Sequence, residues 1–338
     1  MKNTAPTSLS HRTKRWFVRD TGLPICVVQE PYFTAAVEAI NPHYDSIAKL
    51  KLLIDMMLSL DTMDTDASGN NDSPSWLAEL TKKLCGDVVC AIQTTGAYQA
   101  WASQEPQPYQ YQNNGICRAP IYAPGNVGKT LLSIDLVQAN FNSLRLLSKD
   151  IVLGFDTYAE LIGHFTKHEY FKQSKHFRQV IFGSLLPSRQ QTLCRIMMDK
   201  IVTAVLLAGA SHVDIKLENI VSLGNDEVVL EIGSHTDISS IVDCVSNVLR
   251  EDETTRDIAV RVEAFVLRGV SGTDKKFYVK EHVYPRVDHV EFKCIPSHFF
   301  LQVYKHYTGQ TVVDTDLVFH HEGELATFMK PLFTTRVV

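Results

Sequence analysis

No stretch of the 338-residue chain approaches the roughly 18 consecutive apolar residues of a membrane span. The sequence therefore predicts no contact with a bilayer core. No two cysteines have CxxC spacing, and the seven, at positions 26, 85, 90, 117, 194, 244 and 294, are odd in number. That pattern argues against a disulfide framework or a zinc site and predicts reduced thiols in an intracellular, reducing compartment. A strong charge bias is also missing. The net charge is −5, so any nucleic-acid contact must rest on local positive charge. Repeats and low-complexity tracts are absent as well. What the chain does have is 45% hydrophobic residues, ample for a core, and length enough for two domains or one large domain with an appendage.

The first 19 residues carry Lys2, Arg12, Lys14, Arg15 and Arg19 and no acid. Two readings are open: a weak organelle presequence, or a frayed basic tail ahead of a strand, "RWFVRD", and the second is favoured. Helical periodicity runs through Ile47, Leu50, Leu53, Ile54, Met57 and Leu58. Residues 61–75 form a polar, breaker-rich loop, and Ser75 caps a helix over "WLAELTKKLC". Its aspartates, Asp61, Asp64 and Asp66, lack the glycine and final glutamate of a calcium loop. Residues 103–115 have no apolar period and two prolines. They divide a mostly helical N-terminal region, 1–115, from the main domain, 116–338.

In the main domain, "ICRAPIYA" and "TLLSIDL" read as strands about a "PGNVGK" turn. A helix starts near Asp156, another covers "YFKQSKHFRQVIFGSLL" up to Pro187, and a long one ends at Gly209. "HVDIKLENIVSLGNDEVVLEIG" is strand, turn, strand. "ISSIVDCVSNVLRE" is a helix and "RDIAVRVEAFVLRG" a strand. The last 60 residues show no clear motif. The fold class expected is α/β in the α+β sense: an antiparallel sheet backed by helices, with a helical insertion over about 156–208.

"GNVGKT" invites reading as a phosphate loop, but Ala123 stands where the first glycine belongs, and a strand follows instead of a helix. The same stretch delivers Asp135 near the end of an apolar strand. The "GND" hairpin offers Asp226 and Glu227. Three carboxylates that close would repel and raise each other's pKa unless a divalent cation such as Mg2+ joined them. Two such ions could serve nucleotidyl transfer. Between the carboxylates, residues 164–195 hold Lys167, Lys172, Lys175, Arg178, Arg189 and Arg195 against Glu169 alone. Lys175, Arg178 and Phe182 share a helix face, which suits a nucleoside triphosphate, or else a solvated basic helix with Phe182 in the core. His164 and His168, at i and i+4, belong with this basic face.

These residues carry a resemblance. "LLSIDLVQANFNSLRLLSKD" resembles motif A of family A DNA polymerases, with Asp135 on the metal-binding aspartate, Gln138 on the glutamine three residues later and Asn140 on the glutamate that excludes a ribose 2′-hydroxyl. "KHFRQVIFG" is similar to motif B, with Arg178 on the triphosphate-binding lysine and Phe182-Gly183 on its Phe-Gly. "GNDEVVLEIG" resembles motif C, with Asp226 as the second metal-binding aspartate, Glu227 as the adjacent acid, and Asn225 in place of histidine. The resemblance covers about residues 116–270. It implies a palm fold with a fingers-like helix, Mg2+ or Mn2+ on Asp135 and Asp226, Glu227 assisting, a triphosphate on Arg178 and Lys175, Phe182 packed on the nucleotide, and Gln138 and Asn140 beside it. The partners implied are nucleoside triphosphates and a primer/template or single strand, with N-terminal helices as a thumb-like element.

Departures are plain: Ser174 replaces the motif B arginine, Leu186 its tyrosine, and the stretch from B to C is short. Partner proteins would then supply missing fingers or thumb functions. Two other readings stand beside this one. A catalytically inactive, polymerase-derived nucleic-acid-binding or assembly factor would explain the losses. "HVDIKLEN", with Asp214, Lys216 and Asn219, mimics a protein-kinase catalytic loop, but no glycine-rich loop or DFG accompanies it. His320 and His321 read as surface residues, and Trp16, Trp76 and Trp101 show no pattern.

Overall fold

A computed structural model describes residues 9–60, 75–105, 109, 119–209, 215–233 and 237–333. The chain begins with helix α1 (His11–Thr21), where a strand over "RWFVRD" was expected. Its buried residues are Thr13, Lys14, Phe17 and Asp20, a spacing of three to four that suits a helix and no strand. Ser10 caps it by accepting from the Thr13 amide at 3.2 Å, and Gly22, at φ +67°, closes it in the left-handed conformation that glycine adopts without strain. Helices α2 (Tyr32–Tyr44) and α3 (Ser46–Ser59) follow, so helix also precedes the segment that the periodicity of Ile47 to Leu58 marked. Next come α4 (Ser75–Gln93) and α5 (Gly96–Ser103). The side chains of Ser75 and Trp76, the aspartates at 61, 64 and 66, Cys117, and Asp214 of the kinase-like motif lie outside the described residues.

"PGN" forms a single 3-10 turn, Pro124–Asn126, and leads into β1 (Thr130–Leu136). The segment before it, Ile121–Ala123, is not a strand. Gly128 and Lys129 instead exchange backbone bonds with Leu267, at 2.8 and 3.2 Å. After β1 come α6 (Ala139–Leu147) and α7 (Tyr158–Phe165). Thr157, not Asp156, caps α7, in a reciprocal box with Glu160. The helix expected over 170–186 divides at Ser174 into α8 (Glu169–Gln173) and α9 (Lys175–Gly183). The Ser174 hydroxyl accepts from the Phe177 amide at 2.9 Å, restarting the helix. His164 lies in α7 and His168 precedes α8, so the two do not share a helix face.

The remainder runs α10 (Pro187–Gly209), β2 (Ile220–Leu223), β3 (Glu227–Ile232), α11 (Ile238–Glu251), β4 (Val260–Gly269), β5 (Tyr278–Tyr284), β6 (Val290–Lys293), α12 (Ser297–Tyr307), β7 (Val318–His321) and β8 (Glu324–Thr327). Six strands form one antiparallel sheet in the order β2-β3-β1-β4-β5-β6, and β7 pairs with β8. The fold is thus mixed α/β of the α+β type.

Strand alternation divides the large sheet into two unlike faces. On one, Leu132, Ile134, Leu136, Val228, Leu230 and Ala264 pack against Met198, Ile201 and Val205 of α10 and Ile241, Val245 and Leu249 of α11. The other carries a small apolar cluster, Leu131, Val229, Phe265, Leu267 and Tyr278, and otherwise charged side chains. A third, larger core is helical. Phe17, Ile40, Leu53, Val88 and Ile92 join Phe141, Tyr158, Phe171, Phe177 and Phe182, with Phe292 and Phe300. Residues on both sides of position 115 therefore share it. Among the described residues no helix is long and apolar enough to cross a membrane.

Candidate active site

β1 lies at the centre of the sheet, and its outward residues are Ser133 and Asp135. The register sets Asp135 opposite Glu227 on β3 and opposite Arg261 on β4. Facing residues on neighbouring strands share a side of the sheet, so two acids and one base meet here. Asp226 begins the return of the β2–β3 hairpin, and its carbonyl accepts from the Leu136 amide at 2.8 Å. This bond fixes the hairpin turn beside the end of β1. Asn225 is held by Arg195 of α10, whose Nε donates to its side-chain oxygen at 2.8 Å.

Each acid has a distinct environment. The Asp135 carboxylate accepts from Arg261 Nη2 at 2.9 Å. Burial pushes its pKa up to about 6; Arg261 opposes that shift, while Glu227 and Asp226 add to it. Glu227 accepts from Ser133 Oγ at 2.7 Å and pairs with Lys280 Nζ at 3.5 Å. The Asp226 side chain is exposed. Its charge reaches the buried Cys194 thiol, which burial, foremost, pushes up to about 11. As a set the three acids are looser than 4.8 Å; the one such trio among the described residues is His282, His289 and Glu291.

The three acids offer only oxygen donors, the kind a hard divalent cation such as Mg2+ or Mn2+ takes. Desolvation, foremost, raises the Asp135 carboxyl, and a bound cation would favour its ionised form. Asp135 and the exposed Asp226 are the residues that would hold it. Glu227, already engaged by Ser133 and Lys280, is the less available of the three.

The motif B-like residues are scattered relative to this point. Phe182 is fully buried, its ring against Phe141 and Tyr158 at 6.2 and 6.3 Å. It is a core residue with no surface to offer a nucleotide, which corrects the expected stacking role: on a helix packed on two sides, the position is interior. Arg178 lies over the Tyr158 ring at 5.4 Å. Lys175 is exposed and lines a cavity of about 480 Å³ with Lys49, Arg286, His289 and Lys293. Gln138 takes a left-handed conformation, φ +46°, between β1 and α6, where Asn140 follows in the first turn. Both therefore stand at the strand–helix junction next to Asp135. No contact joins Lys175 or Arg178 to Asp135 or Glu227.

A row of alternating charges extends from the site across the sheet, and sequence reasoning missed it. Arg261 Nε approaches Glu263 at 3.4 Å; Arg286 bridges Glu263 and Glu291 at 2.7 and 3.2 Å; Lys293 reaches Glu291 at 2.7 Å. Burial would raise Glu291, but His282, Lys293 and Lys280 hold it well below the usual carboxylate range. The signal was present in "VRVEAFVL", where Arg261 and Glu263 alternate with Val260, Val262 and Ala264. Lys129 of the rejected phosphate loop is bound to Glu231 at 2.7 Å. Asn219 of the kinase-like motif accepts from the Lys216 amide, a local turn bond. His320 is half-buried, not a free surface residue, its Nε2 3.0 Å from the Gln29 side-chain oxygen.

Compared with known proteins, the chain matches no protein-family model, no curated protein and no solved structure.

Proposed function

We propose that the chain is a Mg2+- or Mn2+-dependent nucleotidyltransferase, a reduced family A-like DNA polymerase acting on a nucleic-acid 3′ end, with the six-stranded sheet as its palm. The observation that carries this reading is the cross-strand meeting of Asp135 with Glu227, beside Asp226, on the sheet face opposite α10 and α11. When bound, the cation would supply charge for an attacking 3′-hydroxyl and a leaving pyrophosphate. Asp135 and Asp226 orient that charge. Glu227, fixed by Ser133 and Lys280, holds the hairpin side of the site in place. Arg261 neutralises Asp135 in the absence of substrate and is half exposed, free to turn toward a phosphate. Gln138 and Asn140 would stand beside the sugar and Arg261 beside the triphosphate; Lys175 lines a cavity at β6, three strands from β1. Partner proteins would complete the fingers and thumb.

The test is primer extension with Mg2+ or Mn2+, on primed and single-stranded templates, with dNTPs and rNTPs. Incorporation that Asp226→Asn abolishes supports the proposal; no incorporation under any condition, by a folded protein, overturns it. One observation favours a second reading, a non-catalytic nucleic-acid-binding or assembly factor: Asp135 and Glu227 already have cationic partners in Arg261 and Lys280. Strand binding with no incorporation and no Mn2+ uptake would decide for it.

A further inference from the structure

Far from the carboxylates, α1 and α4 enclose a groove of about 630 Å³ lined by Arg12, Arg15, Arg19, Lys82, Trp16 and Thr81, with Val180 of α9 at one wall. Its lining contains four cations and not one carboxylate. The arginines fall at i, i+3 and i+7 of α1, one face of the helix, and all three are exposed. Among the described residues, none of the four cations makes an ion pair or a side-chain hydrogen bond. Their neighbour Lys14, by contrast, is bound to Glu30 at 2.6 Å. In a chain of net charge −5, like charges gathered without counter-charge cost stability through mutual repulsion. An anion bound among them would relieve that repulsion.

Trp16 narrows the kind of anion. Its half-buried indole is tilted against the Tyr170 ring at 5.3 Å between centroids, which holds it in place. A fixed indole among guanidinium groups suits a ligand that alternates phosphates with flat rings. The groove is recessed between two helices, so bases must leave their stack to reach the indole. A single strand can do this and an intact duplex cannot.

We infer that the α1–α4 groove binds single-stranded nucleic acid, with Arg12, Arg15, Arg19 and Lys82 on successive phosphates and Trp16 against a base. The choice of nucleic acid among polyanions rests on the function proposed above; the preference for an anion does not.

The test uses the full chain and a fluorescein-labelled oligo(dT) read by anisotropy between 50 and 200 mM KCl. Four phosphate contacts on a single strand give a slope of log K against log salt near −2.8, or about 50-fold weakening across that range. Arg15→Gln/Arg19→Gln should reduce the slope to about −1.4, or about sevenfold. Both arginines are exposed, so folding is unaffected, which circular dichroism checks. Saturating oligo(dT) should quench tryptophan emission in the wild type and much less in Trp16→Phe.

An unchanged slope in the double variant, or equal quenching in Trp16→Phe, overturns the inference. So does binding to phosphatidylserine vesicles or inorganic triphosphate with none to oligo(dT). Failure of the catalytic reading shows differently: Asp226→Asn would leave incorporation unchanged or undetected while oligonucleotide binding persists. Groove variants should leave Mn2+ binding at the carboxylates as it is.

Discussion

The sheet face opposite α10 and α11 and the α1–α4 groove are both rich in charge, but they are built on opposite plans. On the sheet, almost every charge has its answer: Arg261 with Asp135, Lys280 with Glu227, Arg286 between Glu263 and Glu291. In the groove four cations stand with no acid among them. A balanced array is suited to positioning, because its side chains are fixed by one another and small displacements of charge are felt along the row. An unbalanced array is suited to capture, because it attracts a polyanion from solution and weakens with salt. On the function proposed, the first region does the chemistry and the second retains the strand.

The largest effect expected from breaking this comparison lies at the sheet. Asp226→Asn and Asp135→Asn should each lower metal-dependent incorporation by on the order of a thousandfold, the scale of a lost electrostatic stabiliser, measured by single-nucleotide primer extension. Oligonucleotide affinity should hardly change, since the groove is untouched. Phe182→Ala should instead cost about 3–5 kcal/mol of stability in denaturant titration, as a large core ring must. A loss of nucleotide affinity without that destabilisation would return Phe182 to the site.

A smaller effect concerns pH. The Asp135 pKa is raised to about 6, above the usual aspartate value of about 4. The folded chain then binds more protons than the unfolded chain between those values, so this group's contribution to stability falls as pH rises through that window. Asp135→Asn should remove the slope and raise the melting temperature near neutral pH. Mn2+ should stabilise the wild type above about pH 6 and little below about pH 4, following ionisation of the carboxyl. Scanning calorimetry across pH, with and without Mn2+, checks both. The smallest effect is expected of Lys175→Gln, which lies outside the groove and should leave oligo(dT) affinity within about twofold of the wild type and its salt slope unchanged.

The elements legible in the sequence were those with strong local signals. α10 and α11 showed apolar periodicity, β1 and β3 showed runs bounded by glycine and Asn-Asp, and the six-stranded sheet bears out an α+β architecture; β2 is shorter than expected, because Leu217–Asn219 forms a 3-10 turn where strand was expected. "RWFVRD" misled because Phe17 and Val18 are adjacent and apolar, a strand-like pair, whereas Thr13, Lys14 and Asp20 are buried polar residues that hide the helical period. Asp20 is buried because it serves distant residues: it accepts from the hydroxyls of Tyr170 and Ser174. No local pattern announces such a bond. The partners of Asp135 were hidden for the same reason. Arg261 and Lys280 reach it and Glu227 only through the register of β4 and β5, a property of pairing that single-segment periodicity does not contain.

The Asp20 bridge also bears on movement. Desolvation is the foremost influence on its carboxyl, raising the pKa, and the bonds from Tyr170 and Ser174 fasten the middle of the chain to its first helix at the very hinge between α8 and α9. Phe177, Ile181 and Phe182 anchor the rest of α9 in the shared aromatic interior. α9 cannot swing as a free arm, and any excursion it makes must carry α1 along. A strand lodged against the arginines would then bear on α9 as well as on α1, because Val180 forms one wall of the groove.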